Sequence, residues 1–397
     1  MSMKVKGFFQ DVGGASRVTK ARRESYANAS AVPDPKDPIR ALADALHPAK
    51  MEFRVVAVED TSPTSKLYRL ESTDGHIPVF QSGQYVNFRL KIGESELTRP
   101  YTISSAPYEA RGEHPFIEVT IRRNRPYLVP DYFFEHVHEG TVLQGNMPFG
   151  TFYWEPLRDS KNIVALAGGS GITPFHSMAK EIAFGQMQDA HITILYGSVH
   201  HSDIVLGKQL EAIERACPER VKVVHVLSGD PDWAGEQGFV TRQIIEKYAG
   251  EDPTYMFCGP LAMYKLLKKT MDEMGVTCRR FRHDVMNNPV DARQIDGWPM
   301  GNEQKTWKIT VVRGVHEDVI DAAGGEPVAV ALERAAIPVD THCRCGECGY
   351  CRTQLLEGAI FVSPNGDGRR LMDREMGWFH ACSAYPVSDL KIKIPIL

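Results

Sequence analysis

The cysteines of this 397-residue chain stand at positions 217, 258, 278, 343, 345, 348, 351 and 382. Cys343, Cys348 and Cys351 fall as C-x4-C-x2-C, and Cys382 follows in His380-Ala381-Cys382-Ser383. That is the thiolate spacing of a plant-type [2Fe-2S] cluster, which carries one electron at a time. Gly346 and Gly349 lie inside the run, where loop amides must come close to sulfides. Structural or zinc-binding thiols are the alternative, but zinc sites usually set one C-x2-C pair against a second pair or histidines. A Rieske centre needs two His in place of two Cys. Cys345 would break the register and is given no ligand role.

Upstream lie further groups that could supply the electrons. Arg99-Pro100-Tyr101-Thr102-Ile103-Ser104-Ser105 offers an aromatic face, hydroxyls and a positive charge at strand spacing. A flavin needs all of these, for its ring, its N5 and its phosphate, although the same residues also suit an ordinary half-buried strand. Ala167-Gly168-Gly169-Ser170-Gly171-Ile172-Thr173-Pro174 follows an apolar run. Its glycines let backbone approach a ligand, Thr173 can cap the next helix, and Pro174 suits that helix's first position. A helix N-terminus then presents free N–H groups to a pyrophosphate. Pro174 stands where G-x-G-x-x-G would end, so a ligand-free tight turn is the competing reading. Phe257-Cys258-Gly259-Pro260 ends a later apolar run. Ligands of open parallel sheets sit at such strand ends, where Cys258 is either a nicotinamide neighbour or a small core residue.

These groups need elements to hold them. Between 51 and 157 short alternating runs such as Phe53–Val58, Lys66–Leu70, Tyr85–Leu90 and Ile117–Ile121 are separated by Gly, Pro, Asp and Ser. The pattern predicts an antiparallel β-barrel. Between 158 and 285 apolar strands alternate with helical stretches, the rhythm of an α/β domain with a parallel sheet. Residues 286–305 read as a linker, and 306–397 as a small α+β domain around the cysteine loop. Residues 1–50 read as an extension with one short helix, Ile39 to His47, started by Asp37-Pro38 and stopped by Pro48.

The length suits about two to four domains. Hydrophobic residues make up 43%, charged residues 24%, and the net charge is −4. This is a globular composition that points to neither nucleic acid nor a membrane surface. No run approaches the roughly 20 apolar residues of a membrane span. The opening residues lack the apolar core of a signal peptide. A cytoplasmic location is expected, where crowded cysteines suggest metal rather than disulfides.

In chain order, the groups resemble the ferredoxin–NADP reductase superfamily fused to a C-terminal plant-type ferredoxin of β-grasp fold. Its flavin motif Arg-x-Tyr-Ser/Thr-x-x-Ser is similar to Arg99, Tyr101, Thr102 and Ser105. Gly83-Gln84-Tyr85-Val86 resembles its strand before that motif, Pro148-Phe149-Gly150-Thr151-Phe152 its barrel exit, and Cys258-Gly259-Pro260 its nicotinamide-side motif. The resemblance implies that Tyr101 stacks on the isoalloxazine, Thr102 bonds near N5 and Arg99 holds a flavin phosphate, with Ser105 and Gly150 in the same site. Gly169, Gly171 and Thr173 would line the dinucleotide's pyrophosphate, and Cys258, Gly259 and Pro260 the hydride path.

FAD-binding members commonly carry Gly-x-x-Ser where this chain reads Tyr127-Leu128-Val129-Pro130-Asp131-Tyr132. FAD is the expected flavin, with FMN as the alternative. Val199-His200-His201-Ser202 lacks Arg and Lys for a 2′-phosphate, which favours NADH over NADPH. The resemblance implies a reductase passing electrons from NADH through flavin and the cluster to a partner oxygenase, hydroxylase, demethylase or other redox protein. That partner would dock near the cluster loop on Arg344, Arg352 and the loop's rim. The alternative is a fixed electron-transfer subunit of a larger redox complex.

Overall fold

The computed structural model describes residues 8–29, 37–123, 128–286, 291–364 and 367–395. It forms two units, Met1–Leu46 and His47–Leu397. The first holds α1 (Phe8–Ala27) and α2 (Pro38–Leu46). The α2 helix was expected, and the Asp37 carboxylate caps it by accepting the Ile39 and Arg40 amides at 3.0 and 3.1 Å. The α1 helix was not. Gly13 and Gly14 disfavour helix, and its polar sequence shows no apolar face to read. Residues 30–36 of the extension lie outside the described residues.

The second unit begins with β1 (Met51–Ser62), β2 (Ser65–Ser72), β3 (Tyr85–Ile92), β4 (Ser95–Thr102), β5 (Ile117–Arg122), α3 (Leu128–His136) and β6 (Val142–Phe149). The strands form one antiparallel sheet in the order β4-β3-β6-β1-β2-β5. An Ile103–Val119 bridge joins its two edges, as a barrel requires. Alternation puts Met51, Phe53 and Val55 of β1 inside. Phe53 and Phe88 meet edge to face at 6.1 Å, and Tyr68 and Phe133 at 5.4 Å. The Tyr68 hydroxyl donates to the Phe133 carbonyl at 3.0 Å, fastening α3 to the barrel.

A parallel sheet follows, built from β7 (Asn162–Gly168), α4 (Thr173–Phe184), β8 (His191–Ser198), α5 (Gly207–Ala216), β9 (Val221–Leu227), β10 (Glu236–Gln237), α6 (Arg242–Tyr248), β11 (Thr254–Pro260), α7 (Leu261–Glu273) and β12 (Phe281–Met286). Its order is β10-β9-β8-β7-β11-β12. Ile163, Ala165 and Ala167 of β7 pack on one face with α4 and α5. Val164 and Leu166 pack on the other with α6 and α7. Burial on both faces explains the unbroken apolar run.

The last part contains β13 (Thr306–Arg313), β14 (His316–Ala323), α8 (Val328–Arg334), β15 (Arg352–Glu357), β16 (Ile360–Val362), α9 (Leu371–Glu375), β17 (Trp378–His380), β18 (Ala384–Pro386) and β19 (Leu390–Lys393). Its main sheet runs β14-β13-β19-β15-β17, with β13 and β19 parallel. Val328, Ala329, Ala331 and Leu332 of α8 join the core. The stretch read as a linker is packed where it is described. Ala292, Ile295 and Trp298 are buried with Tyr385, and the Asn302 amide donates to the Gly324 and Pro386 carbonyls. Asn287 to Val290 lie outside the described residues.

Barrel and parallel sheet are locked through α4. His176 Nδ1 donates to the Ser104 carbonyl at 2.8 Å, and Ser177 Oγ to the Ser105 carbonyl at 2.6 Å. Burial, and then the Lys180 charge, pushes the His176 pKa down from 6.5 to about 4. The unfolded chain takes that proton near pH 6.5. Between these values the unfolded state binds more protons, so stability falls as pH drops from about 6.5 to about 4 and then levels. A His176→Asn variant keeps a donor toward Ser104 without the titrating ring. Urea unfolding at pH 7 and pH 5 is expected to show a smaller acid loss in the variant than in the parent.

Candidate functional site

The cysteine loop joins Val339 to β15 with little regular structure. Arg344, Gly346 and Gly349 have φ of 56°, 88° and 80°. Only glycine takes such angles freely, and at these turns the loop folds back on itself. The thiols are linked. Cys343 Sγ contacts the thiols of Cys345, Cys348 and Cys382, and these bonds hold its pKa far below the ordinary thiol range. Cys351 bonds to Cys382. The Cys348 amide donates to Cys343 Sγ at 3.4 Å, the kind of bond that tunes cluster sulfur. Among the described residues no three His, Cys, Asp or Glu side chains close around a single ion; a two-iron cluster instead asks for two thiolates at each iron. The loop therefore fits the cluster that the spacing suggested. Cys345, which the register left aside, lies against Cys343.

Arg99, Tyr101 and Thr102 sit on β4. Tyr101 is half-buried, its ring 6.1 Å from Phe88 and 5.4 Å from Phe133. Arg99 is bound to Glu333 of α8 at 3.1 Å, and Arg344 binds the same carboxylate at 2.5 Å. Two guanidinium groups against one carboxylate leave a surplus positive charge beside Tyr101, which suits a flavin phosphate. Ser105 is fully buried, and its hydroxyl accepts the Glu118 amide at 2.9 Å. Gly150 lies under the Tyr85 ring, about 3.0 Å from where its Cβ would be. The helix α3 occupies the stretch after Tyr127, which itself lies outside the described residues.

At the parallel sheet, Gly169–Ile172 make one 3-10 turn before α4. Thr173 is inside the helix rather than its cap, and its hydroxyl donates back to the Ser170 carbonyl at 3.2 Å. A Cβ on Gly169 would lie 2.9 Å from the Arg122 guanidinium. Arg122 comes from the barrel strand β5, and the sequence reading missed it. The basic pair Arg122-Arg123 at a strand end was the available signal. Arg122 over a glycine turn at a helix N-terminus is a fitting pyrophosphate seat.

Cys258 is buried at the end of β11, in register with Asp284 of β12. Burial, and then Asp284, raises the Cys258 pKa. Burial, and then Cys343, lifts Asp284 to about 6. Burial, then Cys348, Cys343 and Asp284, raises Tyr85. Tyr85 of the barrel, Asp284 of the parallel sheet and the cysteine loop therefore share one junction. The loop is seated there by neutral bonds too: Thr341 O accepts from Asn87 Nδ2 at 2.9 Å and Thr98 Oγ1 at 2.6 Å. Phe149 meets His342 edge-on at 4.4 Å. Arg344, expected on a docking rim, is turned inward with its side chain 12% exposed. Arg352 is 46% exposed, and Cys348 and Tyr350 also face out.

Residues 165–269 match the oxidoreductase NAD-binding domain family. Residues 312–387 match the 2Fe-2S iron-sulfur cluster binding domain family. Ferredoxin–NADP reductase B of Sorangium cellulosum is 30% identical over 234 residues, covering 57% of this chain and 93% of that protein. The chain belongs to the ferredoxin–NADP reductase family.

The glycine betaine monooxygenase reductase subunit of Chromohalobacter salexigens is 24% identical, covering 79% of this chain and 87% of its own. The solved structure of phthalate dioxygenase reductase shares the fold, with a TM-score of 0.64 at 17% identity over 87% of this chain and 98% of that one. This reductase is an NAD(P)H-dependent electron-transfer oxidoreductase that uses a flavin, a nicotinamide nucleotide and a [2Fe-2S] cluster. Among its described residues no helix is long and apolar enough to cross a membrane.

Close backbone approach at the strand ends yields a test. A Cβ on Gly171 would lie 2.1 Å from the Cys258 carbonyl oxygen, whereas one on Gly197 meets nothing nearer than 3.6 Å. Gly171→Ala is expected to cost about 1–3 kcal/mol and Gly197→Ala less, by denaturant unfolding.

Proposed function

We propose that this reductase takes electrons from NADH and delivers them one at a time to a separate oxygenase or similar redox protein. The observation that carries the reading is the direct contact of barrel and cysteine loop, with Asn87 and Thr98 bonded to the Thr341 carbonyl and Phe149 against His342, beside Asp284 of the parallel sheet. It supports a short path between sites on the barrel, the parallel sheet and the ferredoxin-like domain. In this reading 51–157 hold the flavin, 158–285 the nucleotide and 306–397 the cluster. When bound, the flavin converts the nucleotide's hydride into single electrons that the cluster can carry.

The chain's own residues bind and orient. Tyr101 offers its ring face to the flavin, Thr102 a hydroxyl, and Arg99 a charge for the phosphate. Ser105 and Gly150 shape the walls of that site, Ser105 by fixing the barrel edge. FAD is the favoured flavin. Gly169, Gly171 and Thr173, with Arg122 above them, cradle the nucleotide's pyrophosphate. Cys258, Gly259 and Pro260 close the nicotinamide end, and the buried, high-pKa Cys258 acts there as a neutral small group. Cys343, Cys348, Cys351 and Cys382 hold the iron.

Asp230 supports NADH. Its carboxylate binds His200 Nδ1 at 2.8 Å and the His201 amide at 2.6 Å, beyond the end of β8. A carboxylate there suits ribose hydroxyls and repels a 2′-phosphate. The names of the betaine monooxygenase and phthalate dioxygenase reductases support an oxygenase as acceptor. Its docking face is the outer rim of the loop, with Arg352, Cys348 and Tyr350. Interfaces of this transient kind are small.

Anaerobic titration followed by visible absorption tests the reading. NADH is expected to bleach a flavin band and then the cluster band, at concentrations at least about tenfold below those needed for NADPH. Failure of both nucleotides to bleach the flavin overturns it. Ser at 343, 348, 351 or 382 is expected to abolish the cluster absorption, whereas Cys345→Ser keeps it.

A further inference from the structure

We propose that Glu333 is a positioning residue: its carboxylate, clamped between Arg99 of the barrel and Arg344 of the cysteine loop, seats the cluster against the flavin. The inference rests on the reading above, in which Arg99 faces the flavin phosphate and electrons cross from barrel to loop.

Glu333 lies on α8 with a side chain 4% exposed. Arg99 donates to it through Nη1 at 3.1 Å and Nη2 at 3.4 Å. Arg344 grips the same carboxylate with Nη1 at 2.5 Å and Nη2 at 3.0 Å. Both arginines also reach the Thr98 carbonyl, Arg99 at 2.7 Å and Arg344 at 3.3 Å. Arg344 adds Thr341 Oγ1 at 2.9 Å. One carboxylate thus joins a barrel strand, a ferredoxin-domain helix and the loop carrying Cys343.

A contact that served only the ferredoxin-like fold would need Arg344 alone, since Glu333 and Arg344 belong to the same domain. Arg99 belongs to the other. Without the carboxylate, the two guanidinium groups would face each other with no charge between them, and they would push loop and barrel apart. The same loss would uncover positive charge at Arg99, so an anion there would bind at least as well. Glu333 therefore acts with opposite sign on the two steps. It holds the cluster in place, and it gives no help to the phosphate.

The test uses full-length holoprotein carrying Glu333→Gln, mixed rapidly with NADH without oxygen. Flavin bleaching reports hydride arrival, and the electron paramagnetic signal of the reduced cluster reports delivery. Bleaching is expected to keep the parent's rate, and cluster reduction to slow roughly tenfold, within the usual range of couplings between sites. Flavin retention on dilution is expected to be equal or stronger. Amide hydrogen exchange, a readout independent of turnover, is expected to quicken over residues 328–352. Arg344→Gln must give the same split and, combined with Glu333→Gln, add little. It also carries the test if the first variant does not fold. Parallel slowing of both steps, unchanged cluster reduction, or flavin loss in Glu333→Gln overturns the proposal. If NADH fails to bleach the flavin of the parent protein, the failure belongs to the function proposed above and not to Glu333.

Discussion

A buried carboxylate between two guanidinium groups is tolerable only while every member keeps its partner, because each charge left alone out of water costs several kcal/mol. That constraint governs the seam between barrel and cysteine loop. Glu333, Arg99 and Arg344 are all largely withdrawn from solvent. Partial separation would therefore expose the triad to its worst arrangement, desolvated but unpaired. The seam prefers to be closed or fully open. Neutral bonds from Asn87 and Thr98 to Thr341 give the closed state its register. Charge supplies the tightness, and the hydroxyl and amide groups supply the alignment.

The parallel sheet brings its own strand ends together, with Asp284 beside the cysteine loop. In a parallel sheet all strands finish on one side, so Gly168–Gly171, Cys258 and Asp284 arrive together without any long loop. Close packing there depends on missing side chains. A Cβ on Gly259 would lie 3.2 Å from Gly168 Cα, and one on Gly168 would lie 2.7 Å from Met263 Sδ. The barrel contributes its own strand ends, Tyr85 and Gly150, and α4 fixes its angle through Ser104 and Ser105. The same helix that follows the Gly168–Gly171 turn thus anchors the segment that leaves β4. Sites on two folds are held by one rigid rod.

Much of this was legible in the residues, and what was not has physical reasons. Periodicity revealed the barrel strands and the buried parallel strands, because burial on one or two faces writes itself directly into the pattern. The thiolate register pointed to the cluster because iron geometry allows few spacings. Long-range pairing leaves no such trace. Nothing near Arg344 in the sequence announces that its partners are Glu333 and Thr98, so its charge read as surface. Arg122 reaches the Gly169 turn from another sheet, and no local motif encodes that contact. The helix Phe8–Ala27 lacks an apolar stripe, and Gly13-Gly14 argues against it. Trp298 and Ile295 sat in a stretch read as tether for its turn-forming residues, yet they bury against Tyr385. Thr173 looked like a cap because the 3-10 turn before it is invisible to helix-start rules.

The inward turn of Arg344 changes how a single short loop can serve two partners. In the proposed function, electrons enter the cluster from the flavin side and leave toward another protein, and both routes would run through residues 343–351. If the loop's cationic groups all faced outward, the outer partner and the barrel would compete for one surface. Instead Arg344, with φ of 56°, is committed to Glu333, while Arg352 stays 46% exposed and tied to Asp373 at 2.5 Å. Cys343 lies beside the inward residue, and Cys348 is exposed on the outer rim. The loop thereby separates its duties by direction. On the proposed function, changes on its inner side would bear on internal transfer and changes on its outer side on delivery, so selection could reshape the outer rim for a new acceptor without disturbing the path from the flavin.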